Sequence, residues 1–191
     1  MILGEPLQVT ILLAEVFERL NIRYLIGGSL ASSIHGIPRA TQDVDLVAEI
    51  VPSQVEPFVE ALQATFYIDA DMIKDALRRE SAFNIIHLET MFKVDIFPLK
   101  KNAEAQEEME RRESYTLPDQ TKGLYVASAE DMVLEKLRWY RLGNQISDRQ
   151  WQDVQGILKV KQEQLDLHYM NKKAHGMGLE ELLNRALQDA S

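Results

Sequence analysis

The chain has 191 residues, 46% apolar and 27% charged, which describes a globular protein of one domain or of one domain with a small helical appendage. It has no cysteine, so disulfides, zinc–thiolate sites and thiol catalysis are excluded. A net charge of −9 argues against a broad nucleic-acid-binding surface but leaves room for a local basic groove, with positive charge concentrated around Lys136, Arg138 and Arg141. No stretch approaches the roughly 20 apolar residues of a membrane span. The opening Met1 to Pro6 has no basic region or cleavage site, so no signal peptide and a cytoplasmic location are expected.

Apolar residues Val9, Leu12, Leu13, Val16 and Leu20 have helical spacing over 7–20. Arg23 to Ile26 reads as a short strand ending at Gly27-Gly28, and Ser29 starts a small-residue helix through His35 that Gly36 closes. His35 is expected to meet the terminal carbonyls of that helix. Ile37 to Thr41 is an extended loop, because the residue before a proline avoids helix. Asp43 to Glu49 alternates as a strand, and Pro52-Ser53 opens a helix to about Ala64. After a short segment at Phe66 to Ile68 and a helix near Met72 to Arg78, two strands follow, Ala82 to Leu88 and Met91 to Pro98, joined at Glu89-Thr90. Asn102 to Arg112 is a charged surface helix, and Tyr115 to Leu117 and Leu124 to Val126 are short strands around Gly123.

From Ser128 onward only helices are expected. Ser128 and Ser147 both open capping-box patterns, and helices over about Leu165 to Lys173 and Leu179 to Ala190 finish the chain. Strands and helices interleave first and helices stand alone afterwards, which is an α+β order. The expected division is a core of residues 1–127 with a helical part, 128–191, packed on it.

Asp43 and Asp45 fall on one face of their strand, since side chains alternate with period two. Their Cα atoms are then roughly 6–7 Å apart, and their oxygens can converge on a hard cation or frame two. Unneutralised, two such neighbours repel. Asp95 interrupts the apolar alternation Phe92, Val94, Ile96, and a neighbouring-strand placement would bring it beside the pair at about 4.8 Å. Asp69, Asp71 and Glu89 compete for that third place. Alone, an Asp-x-Asp pair also describes a solvated strand end.

Gly27-Gly28-Ser29 joins a strand to a helix start, where free amide groups and a close backbone suit an anion. No Gly-Lys-Ser/Thr follows, so this is not a Walker loop, and no Gly-x-Gly-x-x-Gly is present. The combination of Gly27-Gly28-Ser29, Arg39-x-Thr41, Asp43-x-Asp45 and a later strand aspartate resembles the signature of polymerase-beta-type nucleotidyltransferases. The resemblance implies a mixed sheet flanked by helices with a helical C-terminal part. It also implies a nucleoside triphosphate met by Gly27, Gly28, Ser29, Arg39 and Thr41, and Mg²⁺ or Mn²⁺ on Asp43, Asp45 and Asp95. Asp95 would also help to activate the attacking hydroxyl of a tRNA, a protein or a small molecule. The approach Arg39-Ala40-Thr41-Gln42-Asp43 is most similar to AbiEii-type toxins and related small bacterial enzymes, which implies a possible antitoxin partner.

That family also has a helical lysine followed by an Arg/Lys-Asp-x-x-Asp pattern. Lys136 and Asp153 match it and gain implied catalytic roles, with Lys136 also a nucleotide contact, whereas Gln150 replaces the first acid. On spacing alone Lys136 either reaches into a cleft or snorkels along the core. Arg39 is read equally as a phosphate contact or as a salt bridge to the acids. Trp139, Tyr140 and Trp151 are expected in the core, with stacking on a base as the alternative. A non-catalytic nucleotide sensor or protein-partner module on the same fold is the competing reading. A haloacid-dehalogenase-type phosphatase is rejected, because its first aspartate would end an apolar strand and here Pro38 to Gln42 precede Asp43.

Overall fold

The structure is a computed structural model that describes residues 4–117 and 123–190. The first three residues, part of the stretch from which no signal peptide is expected, lie outside the described residues. The chain divides into two compact units, the first of residues 4–30 and 41–126 and the second of 31–40 and 127–190.

The first unit is built on seven strands. In chain order they are β1 (Tyr24–Ile26), β2 (Asp43–Ala48), β3 (Phe66–Tyr67), β4 (Phe83–His87), β5 (Lys93–Pro98), β6 (Glu113–Thr116) and β7 (Gly123–Val126). They form one mixed sheet in the order β3-β4-β5-β2-β1-β7-β6. The β2–β5 and β1–β7 pairs are parallel and the remaining pairs antiparallel. The expected α+β class with a mixed sheet and flanking helices is what the chain adopts. Strand β7 begins at Gly123 itself, so this glycine lies in the ladder rather than in a turn.

Helix α1 (Glu5–Arg19) starts with Pro6 in its first turn, where the missing N–H costs nothing. It packs on β2 and on α3 (Val55–Leu62), which packs on α4 (Ala70–Arg79). Phe17 stacks between Tyr24 and Phe58, with ring centroids 5.3 Å apart in both pairs, and Val44, Leu46, Ile85, Val94 and Ile96 are buried in the same unit. The helix expected from Pro52 to Ala64 is shorter. Residues Pro52–Gln54 form a tighter 3₁₀ turn before α3. Pro57 has no amide to donate back to residue 53 and its ring crowds that carbonyl, so a regular α-turn cannot continue upstream. Helix α5 (Ala103–Glu110) is mostly exposed, with Met109 as its buried anchor.

Helix α2 (Gly28–His35) starts in the first unit and ends in the second. The second unit continues with α6 (Ala129–Leu142), α7 (Asp148–Lys161), α8 (Leu167–Met177) and α9 (Glu180–Ala190), packed through Leu134, Leu137, Val154, Ile157, Met170 and Leu183. Ser128 and Ser147 cap α6 and α7, each hydroxyl accepting an amide of the first turn. Among the described residues, no helix is long and apolar enough to cross a membrane.

Candidate active site

Strand β2 carries Asp43, Val44, Asp45 and Leu46 with Val44 and Leu46 buried and the two aspartates half-buried. Strand β5 runs parallel beside it, with Asp45 directly opposite Asp95 and Asp43 opposite Lys93. Register partners in a parallel pair share a face, and adjacent strands lie about 4.8 Å apart. The three aspartates therefore stand on one face of two neighbouring strands. Asp69 and Asp71 do not join them, since Asp69 caps α4 by accepting the Met72 amide at 2.7 Å and the Asp71 side chain is 97% exposed.

Asp45 lies within a row across three strands, which Gly27 extends just past the end of β1. Asn84 on β4 is opposite Asp95 on one side, and Gly27 donates its amide to the Asp45 carbonyl at 2.9 Å on the other. Gly28 follows with φ +57° and so adopts a conformation that other residues take at a cost. A Cβ at this position would be 1.8 Å from Asp45 Oδ2, so the glycine lets the carboxylate lie against the start of α2. Thr41 donates its hydroxyl to the Asp43 carbonyl at 2.9 Å and lies 3.3 Å from Asp43 Oδ1, which fixes the entry into β2. Ser29 is half-buried in the first turn of α2.

Lys93 places its Nζ 2.6 Å from Asp95 Oδ2. The hydrogen bond to Asp95 raises the lysine above its ordinary value, outweighing desolvation, and Asp43 and Asp45 act in the same direction. The oxygen donors on this face suit a hard divalent cation, and the ammonium at Asp95 shows that the face attracts positive charge. Among the described residues no three acidic or histidine side chains stand together as a finished metal-holding group.

The second unit holds a different cluster. Asp153 on α7 is buried and accepts from Arg39 Nε at 2.7 Å, Arg39 Nη2 at 2.9 Å and Lys136 Nζ at 2.8 Å. Burial pushes the Asp153 carboxyl up, but the hydrogen bonds from Arg39 and Lys136 prevail and hold it below its ordinary value. The loop that carries Arg39 reaches α7 through glycines, since a Cβ on Gly36 would be 2.7 Å from the Ile157 amide nitrogen.

No family model and no curated protein matches the chain. Solved structures do. An antigenic nucleotidyltransferase-like protein from Paracoccidioides brasiliensis superposes with a TM-score of 0.56 at 18% identity, over 95% of this chain and 91% of that one. A lincosamide antibiotic adenylyltransferase, in its lincomycin-bound structure, gives 0.54 at 14% identity over 83% and 98%. A candidate nucleotidyltransferase from Thermotoga maritima gives 0.51 at 14% identity over 80% and 96%. The fold is the nucleotidyltransferase fold.

Within this nucleotidyltransferase fold, several sequence expectations change. Lys136 is neither a snorkelling surface lysine nor a member of an open basic groove, because it is buried on Asp153 and Arg141 donates to the carbonyls of Met177 and Gly178 at 2.8 and 2.9 Å. Arg39 makes its forked ion pair with Asp153, a partner far away in sequence. His35 Nε2 meets the carbonyl of Ala127 at 2.7 Å. Trp139 is 54% exposed, whereas Tyr140 is buried against Trp151 at 5.0 Å. The inward face of α6 runs through Lys136, Leu137 and Tyr140, and Trp139 turns away from it. Among the described residues, the buried Oε1 of Gln150 has no hydrogen-bond partner.

Two residues of the acid face escaped the sequence reading, Asn84 and Lys93. Period-two alternation places Lys93 on the face of Asp95, a signal that was present, while Asn84 required the β4–β5 register. Gly28→Ala is expected to lower stability by about 1–2 kcal/mol from its left-handed backbone alone. Displacement of Asp45 by the new methyl group should add to this. Urea denaturation measures the loss, and an unchanged midpoint would contradict the close approach.

Proposed function

We propose that this protein is a metal-dependent nucleotidyltransferase. It would move a nucleoside monophosphate from a triphosphate to an acceptor hydroxyl, in the cytoplasm where such triphosphates are found. The observation that carries the reading is the register of Asp43, Asp45 and Asp95 on one sheet face beside Gly27-Gly28-Ser29.

Mg²⁺ or Mn²⁺ held by Asp43, Asp45 and Asp95 would polarise the phosphoryl oxygens and stabilise the charge of the attacking and leaving oxygens. Gly28 and Ser29 present the start of α2 to the triphosphate, and Thr41 fixes Asp43 at the head of β2. Asp95 accepts the proton of the acceptor hydroxyl as its oxygen bonds to the α-phosphorus. The bond from that phosphorus to the bridging oxygen breaks, and pyrophosphate leaves. Arg39 and Lys136 are read as phosphate contacts whose orientation Asp153 sets. The acidic net charge of −9 favours a small molecule or a protein hydroxyl over a tRNA end as acceptor. The matching Lys136 and Asp153 support the finer AbiEii-type reading, in which an antitoxin protein would be the partner. Growth arrest on expression, relieved by the neighbouring gene, tests that reading.

Purified protein incubated with labelled triphosphates, Mg²⁺ and cell extract should transfer label to one class of acceptor and release pyrophosphate. The Lys93–Asp95 pair favours one alternative, a nucleotide-binding module without turnover, because it occupies the oxygen that would take the proton. Tight triphosphate binding with no pyrophosphate released under any condition would assign the protein to that class.

A further inference from the structure

The acid-bearing face of β2 and β5 is a two-by-two block, with Asp43 opposite Lys93 and Asp45 opposite Asp95. Neighbours across the strands are about 4.8 Å apart and neighbours along each strand roughly 6–7 Å, so every charge feels the others. The Lys93 side chain is 47% exposed, yet its ammonium lies 2.6 Å from Asp95. Burial does not confine it there; the negative charge of the block does.

On the metal-dependent reading above, we infer that Lys93 is a built-in counter-ion that competes with the divalent cation for Asp95 and thereby sets the cation affinity of the site. In the metal-free protein the ammonium relieves the repulsion among the acids. When the cation enters, Lys93 withdraws on its flexible four-carbon stem and gives up Asp95. An incoming triphosphate offers the released ammonium a new anionic partner. Cation and nucleotide therefore bind more tightly together than apart, and part of that coupling passes through Lys93. A compact, strongly hydrated ammonium suits this exchange, because it can return to water at little cost.

The test is a titration of the full chain with Mn²⁺, followed by the electron paramagnetic resonance of the free ion, so that no turnover is needed. Lys93→Met should bind Mn²⁺ at least about tenfold more tightly than the parent, because one repelling charge has been removed. Lys93→Arg, which keeps the charge, should bind like the parent. A non-hydrolysable triphosphate should tighten Mn²⁺ binding less in Lys93→Met than in the parent. Thermal melts of both variants with and without Mn²⁺ confirm that each is folded, and Mn²⁺ should raise the midpoint of Lys93→Met more than that of the parent. Equal or weaker Mn²⁺ binding by Lys93→Met overturns the inference. If the parent binds Mn²⁺, Asp45→Asn abolishes binding and Lys93→Met changes nothing, only the role of Lys93 falls. If neither the parent nor Lys93→Met binds Mn²⁺, the metal-dependent reading falls with it.

Discussion

Asp45→Asn should reduce nucleotidyl transfer by at least about a hundredfold, since metal clamping supplies several kcal/mol of transition-state stabilisation. The expected loss is larger at Asp45 than elsewhere on the sheet for a geometric reason. Asp45 is directly opposite Asp95, is adjacent to Gly27, and has its Oδ2 against the Cα of Gly28. It is thus the acid shared by the cation face and the start of α2. Asparagine keeps the volume and loses the charge, so the same variant should also lose Mn²⁺ binding. A thermal melt of the metal-free variant separates this loss from any loss of folding. Transfer measured with labelled triphosphate, Mn²⁺ titration and a thermal melt together check the prediction. Retained transfer with normal Mn²⁺ binding would remove Asp45 from the proposed site.

Asp153→Ala has the opposite character, a large loss of stability. Asp153 is buried and holds Arg39 through two hydrogen bonds and Lys136 through one. Deleting the carboxylate takes the counter-ion from the buried Lys136. Breaking a buried ion pair in this way costs about 3–5 kcal/mol, which lowers Tm by roughly 10 °C in a chain of this length. Lys136→Met should cost less, because Arg39 still neutralises Asp153. The pH dependence has a definite sign. The folded carboxyl is held below its ordinary 3.8, so its contribution is complete above that value and is lost as the pH falls through the lowered folded value. The stability gap between the parent and Asp153→Asn should therefore be widest near neutral pH and close on acidification below about 4. Urea melts across that range measure it. A gap that does not change with pH would show that packing, not charge, is the role of Asp153.

The ion pairs around Asp153 also bear on function. In the proposed role Asp153 acts through its two partners as a positioning residue. Asp153→Asn should then raise KM for the triphosphate more than it lowers kcat, a split that simple loss of stability would not produce.

Much of the acid face was legible in the sequence because it depends on local rules. Period-two alternation alone places Asp43 and Asp45 on one side of a strand and Val44 and Leu46 on the other. The glycines at 27 and 28 could be read as a close backbone approach, and the serines at 128 and 147 as helix caps, because a turn or a cap is decided within a few residues. The helix boundary at Pro52 was misplaced because the effect of Pro57 acts upstream. Trp139 was misassigned because a run of large apolar residues does not by itself say which way a helix faces.

The amino-acid sequence by itself determined the order of strands and helices and which side chains share a strand face. It also determined that two acids stand side by side where a cation would relieve them. Only the tertiary structure decided that Asp95 lies opposite Asp45 and that Asp153 collects Arg39 and Lys136. Each of these pairings joins residues that are distant in the chain. Strand order and helix packing set them, through the burial of the whole apolar face, and no local pattern encodes which distant partner a charged side chain will meet.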